Sequence, residues 1–142
     1  MEIMNGGVFA DDRGKLRFVN DFDFSNVKRF YQVENHRQGF IRAWHGHVHE
    51  GKYVYVPSGT ALVGVVPLSV PLAEHPATPK KFILTSEKPQ ILWIPPNHAN
   101  GFMNLENNTI VMFFSTSTLE ESKGDDIRFP YDEWNIWQED YR

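Results

Sequence analysis

Seven short segments rich in β-branched and aromatic residues recur along this chain: Val27–Val33, Phe40–Trp44, Lys52–Val56, Ala61–Pro67, Lys81–Leu84, Gln90–Pro95 and Thr109–Thr116. Turn-formers separate them at intervals of about 8–12 residues, which is the pattern of an antiparallel sandwich or barrel rather than of βαβ units. Pro57-Ser58-Gly59 reads as a tight turn, and Asn97 to Gly101 and Glu106 to Asn108 punctuate later strands in the same way. No stretch carries a long helical period; the best short candidate is Pro130–Trp137. Ser69–Pro79, with three Pro and no useful period, reads as a surface loop. The expectation is an all-β protein of one domain, residues 1–142, long enough to bury a sizeable core.

Charge and cysteine content narrow the partners. A net charge of −4 leaves no excess of Lys or Arg to neutralise a nucleic acid or an anionic membrane, although local basic residues can still hold one diphosphate. With no Cys, disulfides and thiolate metal sites are excluded. Met1–Gly7 lacks the charged start and apolar core of a signal peptide, and no apolar run approaches the ~20 residues of a membrane helix, so a cytoplasmic protein is expected. The eleven Phe, five Tyr and four Trp could line a deep barrel or fill a core.

The chemistry concentrates between Gly39 and Gly59. Strand alternation puts His45 and His47 on one face, where two imidazoles can reach a common point. Lys52 follows at the start of the next strand. An ammonium there repels a divalent metal, and no carboxylate offsets the metal's charge, so a metal-free site is expected. Lys52 beside a neutral His45 instead forms a base-plus-electrophile pair. The imidazole removes a proton next to a carbonyl, and the ammonium stabilises the enolate oxygen. An imidazole pKa of about 6.5 suits that base, and a neighbouring cation favours its neutral form.

The spacing Gly39-x5-His45-x-His47, then Lys52 and Gly59, resembles the first cupin motif, G-x5-H-x-H-x3,4-E-x6-G, with Lys52 where the ligand Glu usually stands. Pro95, Asn97, Asn100 and Asn104 fall at the spacings of the second motif, P-x-G-x2-H-x3-N, with Asn97 replacing the turn Gly and Asn100 the ligand His. The resemblance implies a cupin double-stranded β-helix, a jelly-roll barrel. Ile41-Arg-Ala-Trp-His45, Gly51-Lys-Tyr-Val54 and Ser58-Gly59 are similar to the LRGLH, GKLV and SGE segments of dTDP-4-dehydrorhamnose 3,5-epimerases. Leu92-Trp-Ile-Pro-Pro-Asn-His-Ala-Asn-Gly-Phe102 resembles their LWIPEGFAHGF, and Phe9-Ala-Asp-Asp-Arg-Gly14 their F-x-D-x-RG. The likeness runs from about residue 9 to Trp137.

That resemblance makes His45 the base and Lys52 the enolate stabiliser, and points to Arg13 and Arg42 as contacts of a substrate diphosphate. It implies no cofactor, and a homodimer with an N-terminal strand exchanged or packed across the interface. Three departures stand out. Phe114 occupies the place of the epimerases' Tyr acid, and Asn100 that of their second His. Their C-terminal extension, whose Asp orients the catalytic His, has no counterpart after Trp137. Sugar 3,4-ketoisomerases, with RGGHAH and IRDYDEF-like segments, are similar to Arg42-Ala-Trp-His-Gly-His47 and Asp126-Ile-Arg-Phe-Pro-Tyr-Asp-Glu-Trp134. In them no acid on the far face is needed, and His47 could share the proton transfers with His45.

Three functions therefore stay open. The first is an epimerase or isomerase of a nucleotide-linked 4-keto-6-deoxy sugar; the others are a 3,4-ketoisomerase and a non-catalytic sugar-nucleotide-binding cupin. Asn35, His98 and Asn100 are candidate substrate contacts, and Trp93 and Trp134 are aromatics that either stack on a base or fill the core. His49 and His75 read as solvent-facing, and Glu120 to Asp126 as a solvated loop. Strict alternation places Arg42 on the face opposite His45, so the two meet one ligand only through a bulge, a strand end or a neighbouring subunit.

Overall fold

The computed structural model describes residues 1–68 and 78–138. Among these, the strands are β1 (Glu2–Asn5), β2 (Gly7–Asp11), β3 (Gly14–Phe18), β4 (Arg29–Glu34), β5 (Ile41–His47), β6 (Lys52–Ser58), β7 (Thr60–Pro67), β8 (Lys80–Thr85), β9 (Gln90–Ile94), β10 (His98–Asn104), β11 (Ile110–Ser115) and β12 (Ile127–Arg128), with one helix, α1 (Leu119–Lys123). One sheet runs β1-β9-β6-β11-β4 and a second β12-β5-β10-β7-β8, while β2 and β3 form a separate hairpin. This is the expected all-β jelly roll of antiparallel sheets.

The period-2 pattern decides which residues go inside. Along β6, Lys52, Val54 and Val56 are buried and alternate with half-exposed neighbours. Val54, Val56, Val63, Val65, Leu84, Leu92 and Val111 fill the space between the sheets. Lys52 thus stands at the polar end of a strand whose other inward positions are core. Asn108 and Gly59, at φ values of 63° and 79°, make the turns that the Asn and Gly signals predict.

Two expectations need correction. Pro130–Trp137 is not helical: Tyr131 to Trp134 form a turn, and the segment packs on the back of the second sheet. The indole nitrogens of Trp44 and Trp137 both donate to the Tyr131 carbonyl, at 3.2 and 3.1 Å. Aromatic spacing there serves packing on Trp44 rather than a helical face. The helix lies instead at Leu119–Lys123, started by a capping box in which Thr118 accepts from the Glu121 N–H and Glu121 accepts from the Thr118 N–H. Asn97 to Gly101, read as punctuation, is a turn only at its start, where Asn97 has φ 65°. From His98 onward it is a central strand paired on both sides, by β5 and β7.

Candidate active site

Between the two sheets lies a cavity of about 230 Å³. The second sheet contributes Arg42, His45 and His47 from β5 and Asn100 from β10. The first sheet contributes Arg29 and Tyr31 from β4, Lys52 from β6 and Phe113 from β11. Asp126 and Arg128 close the edge where β12 pairs with β5, Arg128 lying opposite His45 in register.

Arg42 reaches this cavity because β5 carries a bulge. Asn100 pairs with His45 but Phe102 pairs with Arg42, so two steps along β10 correspond to three along β5. The extra residue returns Arg42 to the face of His45. Gly101 lies opposite the bulge, where an added Cβ would meet the Cβ of Ala43 at 2.5 Å. Asn35 is not a wall residue. It donates to the Phe40 carbonyl and to Asn104, and its oxygen accepts from Arg42 Nε at 2.6 Å, fixing the guanidinium.

Burial is the main influence on His45: it lowers the imidazole pKa to about 4, helped by the positive charges of Arg128 and Lys52. Burial, then Lys52, also lowers His47. Both rings are neutral at pH 7. His47 Nδ1 sits 2.6 Å from the Asp125 carbonyl. Lys52, 6% exposed, stands over the Phe113 and Tyr31 rings, its Nζ 5.4 and 5.8 Å from their centroids.

Beneath this wall lies a carboxylate that the motif reading passed over. Glu50 is 2% exposed. Its oxygens approach Lys52 Nζ at 3.6 Å, Arg29 Nη2 at 3.8 Å and His47 Nε2 at 3.9 Å. Among the described residues neither Glu50 oxygen has a hydrogen-bond partner, nor do His47 Nε2 and Arg29 Nε. Lys52 therefore does have a buried counter-charge, three residues beyond His47 rather than in the motif position. Asp125 is a second one missed: far from being part of a solvated loop, it is buried and accepts from the N–H groups of Val48, His49 and Glu50 at 2.7–2.9 Å. Burial alone would raise its pKa, but those three bonds outweigh it and hold the carboxyl below its ordinary value.

The other candidates fall elsewhere. Arg13 is exposed on the β2–β3 hairpin, bonded to Asp11 at 2.6 Å, outside the cavity. His98 keeps its Nδ1 2.9 Å from the Pro96 carbonyl and does not line the cavity. His49 is exposed, and His75 lies outside the described residues, as does most of Ser69–Pro79. Trp93 packs on Tyr53, and Trp134 on Trp44, neither in the cavity. Phe114 requires a correction: it points outward, among Phe22, Phe24 and Phe30. The residue facing the cavity is Phe113, one position earlier, so the wall there is still a phenyl ring without a hydroxyl.

Among the described residues no three His, Asp or Glu side chains converge as a metal site would require. Likewise, no helix is long and apolar enough to cross a membrane.

The family model for dTDP-4-dehydrorhamnose 3,5-epimerase matches residues 2–139. A search of curated proteins finds no match. Among solved structures, a dTDP-4-dehydrorhamnose 3,5-epimerase from Sulfolobus tokodaii is 27% identical, with a TM-score of 0.75 over 94% of this chain and 78% of that one. An epimerase from Mycobacterium tuberculosis gives 17% identity and a TM-score of 0.73 over 89% of this chain and 66% of that one, so the chain spans just under two thirds of that relative. A 3,4-ketoisomerase from Thermoanaerobacterium thermosaccharolyticum, solved as a double mutant with TDP, gives 18% identity and 0.68 over 94% and 89%. At these lower identities the likeness is one of fold.

Proposed function

Since the chain belongs to the dTDP-4-dehydrorhamnose 3,5-epimerase family, we propose that it isomerises a nucleotide-activated 4-keto-6-deoxy sugar through an enolate, without a metal. The observation that carries this reading is a neutral His45 on one wall of the cavity with the Lys52 ammonium on the other. His45 takes the proton from the carbon beside the carbonyl, and Lys52 holds the oxygen on which charge develops. Arg42, steadied by Asn35, receives the diphosphate at the rim, with Arg29 and Arg128 adding positive charge, while Asn100 offers a hydrogen bond to the sugar. His98 lies outside this reading's first contacts.

Arg13 keeps a phosphate role only where its hairpin meets a second subunit. The exposed side chains of Phe9, Leu16, Phe24 and Phe30 support such a homodimer. A cytoplasmic location goes with a nucleotide-sugar substrate.

A second reading, 3,4-ketoisomerisation, is favoured by the presence of His47 on the same wall as His45, two residues along β5. Incubation with a dTDP-4-keto-6-deoxyhexose in D2O, followed by NMR, separates the readings. Inversion at C3 or C5 marks the epimerase and a carbonyl moved to C3 the ketoisomerase. Tight binding with no exchange leaves only a binding protein. His45→Asn should slow exchange by about 1,000-fold or more; a full rate in that variant removes His45 as the base.

A further inference from the structure

We propose that Tyr31 is the acid that returns a proton to the substrate from the wall facing His45. This rests on the epimerase reading above and deepens it. Inversion needs a base on one face of the sugar ring and a proton donor on the other. His45 projects from the second sheet, so the donor must stand on the first.

The side chains that the first sheet sends into the cavity are Arg29, Tyr31, Val33, Lys52 and Phe113. Val33 and Phe113 have no acidic proton, and a guanidinium does not give one up in a protein. Ser122, on α1 beside them, is an alcohol, far weaker as an acid than a phenol, and its oxygen accepts from Arg29 at 3.2 Å. Asp126 is held ionised, first by its bond to Arg128, and stands beside β12 on the His45 side. Lys52 is committed to the enolate oxygen, which leaves Tyr31, half-buried and opening on the cavity. It is the register partner of Phe113, and the two rings stack at 5.1 Å with 19° between their planes. Arg29 stands 4.9 Å from its centroid on one side and Lys52 5.8 Å away on another, fixing the ring beside the group that holds the enolate.

The step balances without any added reagent. His45 takes the C–H proton and the electron pair moves onto the carbonyl oxygen as enolate. The enolate carbon then forms its new C–H bond with the Tyr31 hydroxyl proton as the C=O re-forms. The phenolate left behind regains a proton from water, and the imidazolium releases one.

The test measures two rates on one sample: exchange of the reacting C–H with D2O, and appearance of the inverted sugar. In Tyr31→Phe the ratio of inversion to exchange should fall at least 100-fold. Thermal melting and dTDP binding serve as checks that the protein is folded. Moving the phenol one strand over, in Tyr31→Phe/Phe113→Tyr, should restore the ratio to within about tenfold of wild type. A wild-type ratio in Tyr31→Phe overturns the proposal and leaves Lys52 as the donor on that wall. Failure of the underlying reading looks different: wild-type protein that exchanges but never inverts, or that does neither, removes the epimerase function and the Tyr31 role with it.

Discussion

His47 is held by Asp125 twice over: its Nδ1 faces the Asp125 carbonyl, and the Asp125 carboxylate caps the backbone that follows it. A carbonyl oxygen only accepts, so the Nδ1 carries the proton and Nε2 presents its lone pair toward Glu50. A segment 78 residues away in sequence thereby sets the tautomer of a cavity histidine.

Removing the carboxylate should loosen the whole β5–β6 connection. Asp125→Ala should lower stability by about 3 kcal/mol, because buried charge-assisted bonds contribute roughly 1.5–3 kcal/mol each but relaxation and water recover part of them. Urea unfolding should show a lower midpoint with an unchanged slope.

The acid limb of activity should lie far below that of an ordinary histidine. As the proposed base His45 works unprotonated, and burial with Arg128 and Lys52 has brought it to about 4. The pH profile of kcat/KM should therefore stay flat from pH 8 down to about 5.5 and fall only toward about 4. Stability follows the same sign. Between about 4 and 6.5 the unfolded chain binds a proton at this position and the native chain does not, so unfolding free energy rises with pH across that window. His45→Asn should flatten that slope in urea titrations at stepped pH.

Glu50→Gln should leave the buried Lys52 ammonium without its nearest counter-charge, 3.6 Å away. Breaking a buried pair from one side costs about 3–5 kcal/mol, whereas replacing both members often costs little. Glu50→Gln/Lys52→Met should therefore unfold at a higher urea concentration than Glu50→Gln alone, with a coupling above about 1 kcal/mol in the double-mutant cycle. Activity is lost in both.

How much of this was legible in the sequence depends on how local each feature is. His45, His47 and Lys52 sit within two adjacent strands, and a spacing motif captures their shared cavity. Tyr31, Arg29 and Arg128 reach it only through the pairing of β4 with β11 and of β12 with β5, which no local pattern encodes. Phe113 against Phe114 shows the same limit, since a shift of one residue exchanges the inner and outer faces of a strand. Glu50 was within reach: an acidic residue between His47 and Lys52, in a segment due to be buried, had to be paired. The Thr118-Leu-Glu-Glu121 capping box was a local signal too, passed over in reading Pro130–Trp137 as the best helical candidate.

Arg42 and Asn35 should behave as one unit. Arg42→Ala should raise KM for the sugar nucleotide about tenfold or more with a smaller change in kcat. Asn35→Ala, which frees the guanidinium held at 2.6 Å, should reproduce part of that rise, and the double variant should be little worse than Arg42→Ala. Steady-state kinetics of the three variants decide it.

The strand pairing that closes the cavity also sets when it can exist. β4 waits for β11, β6 lies between β9 and β11, and β5 is completed by β12, whose Arg128 stands against His45. A ribosome that has released only the histidine segment has released no binding site. Until the chain past Arg128 has emerged and docked, the wall around His45 is incomplete, and its imidazole is open to water and at ordinary solution basicity. Long-range pairing of this kind is slow. The cavity around His45 is thus closed late, and a partly made copy of this protein has no pocket in which to hold a substrate.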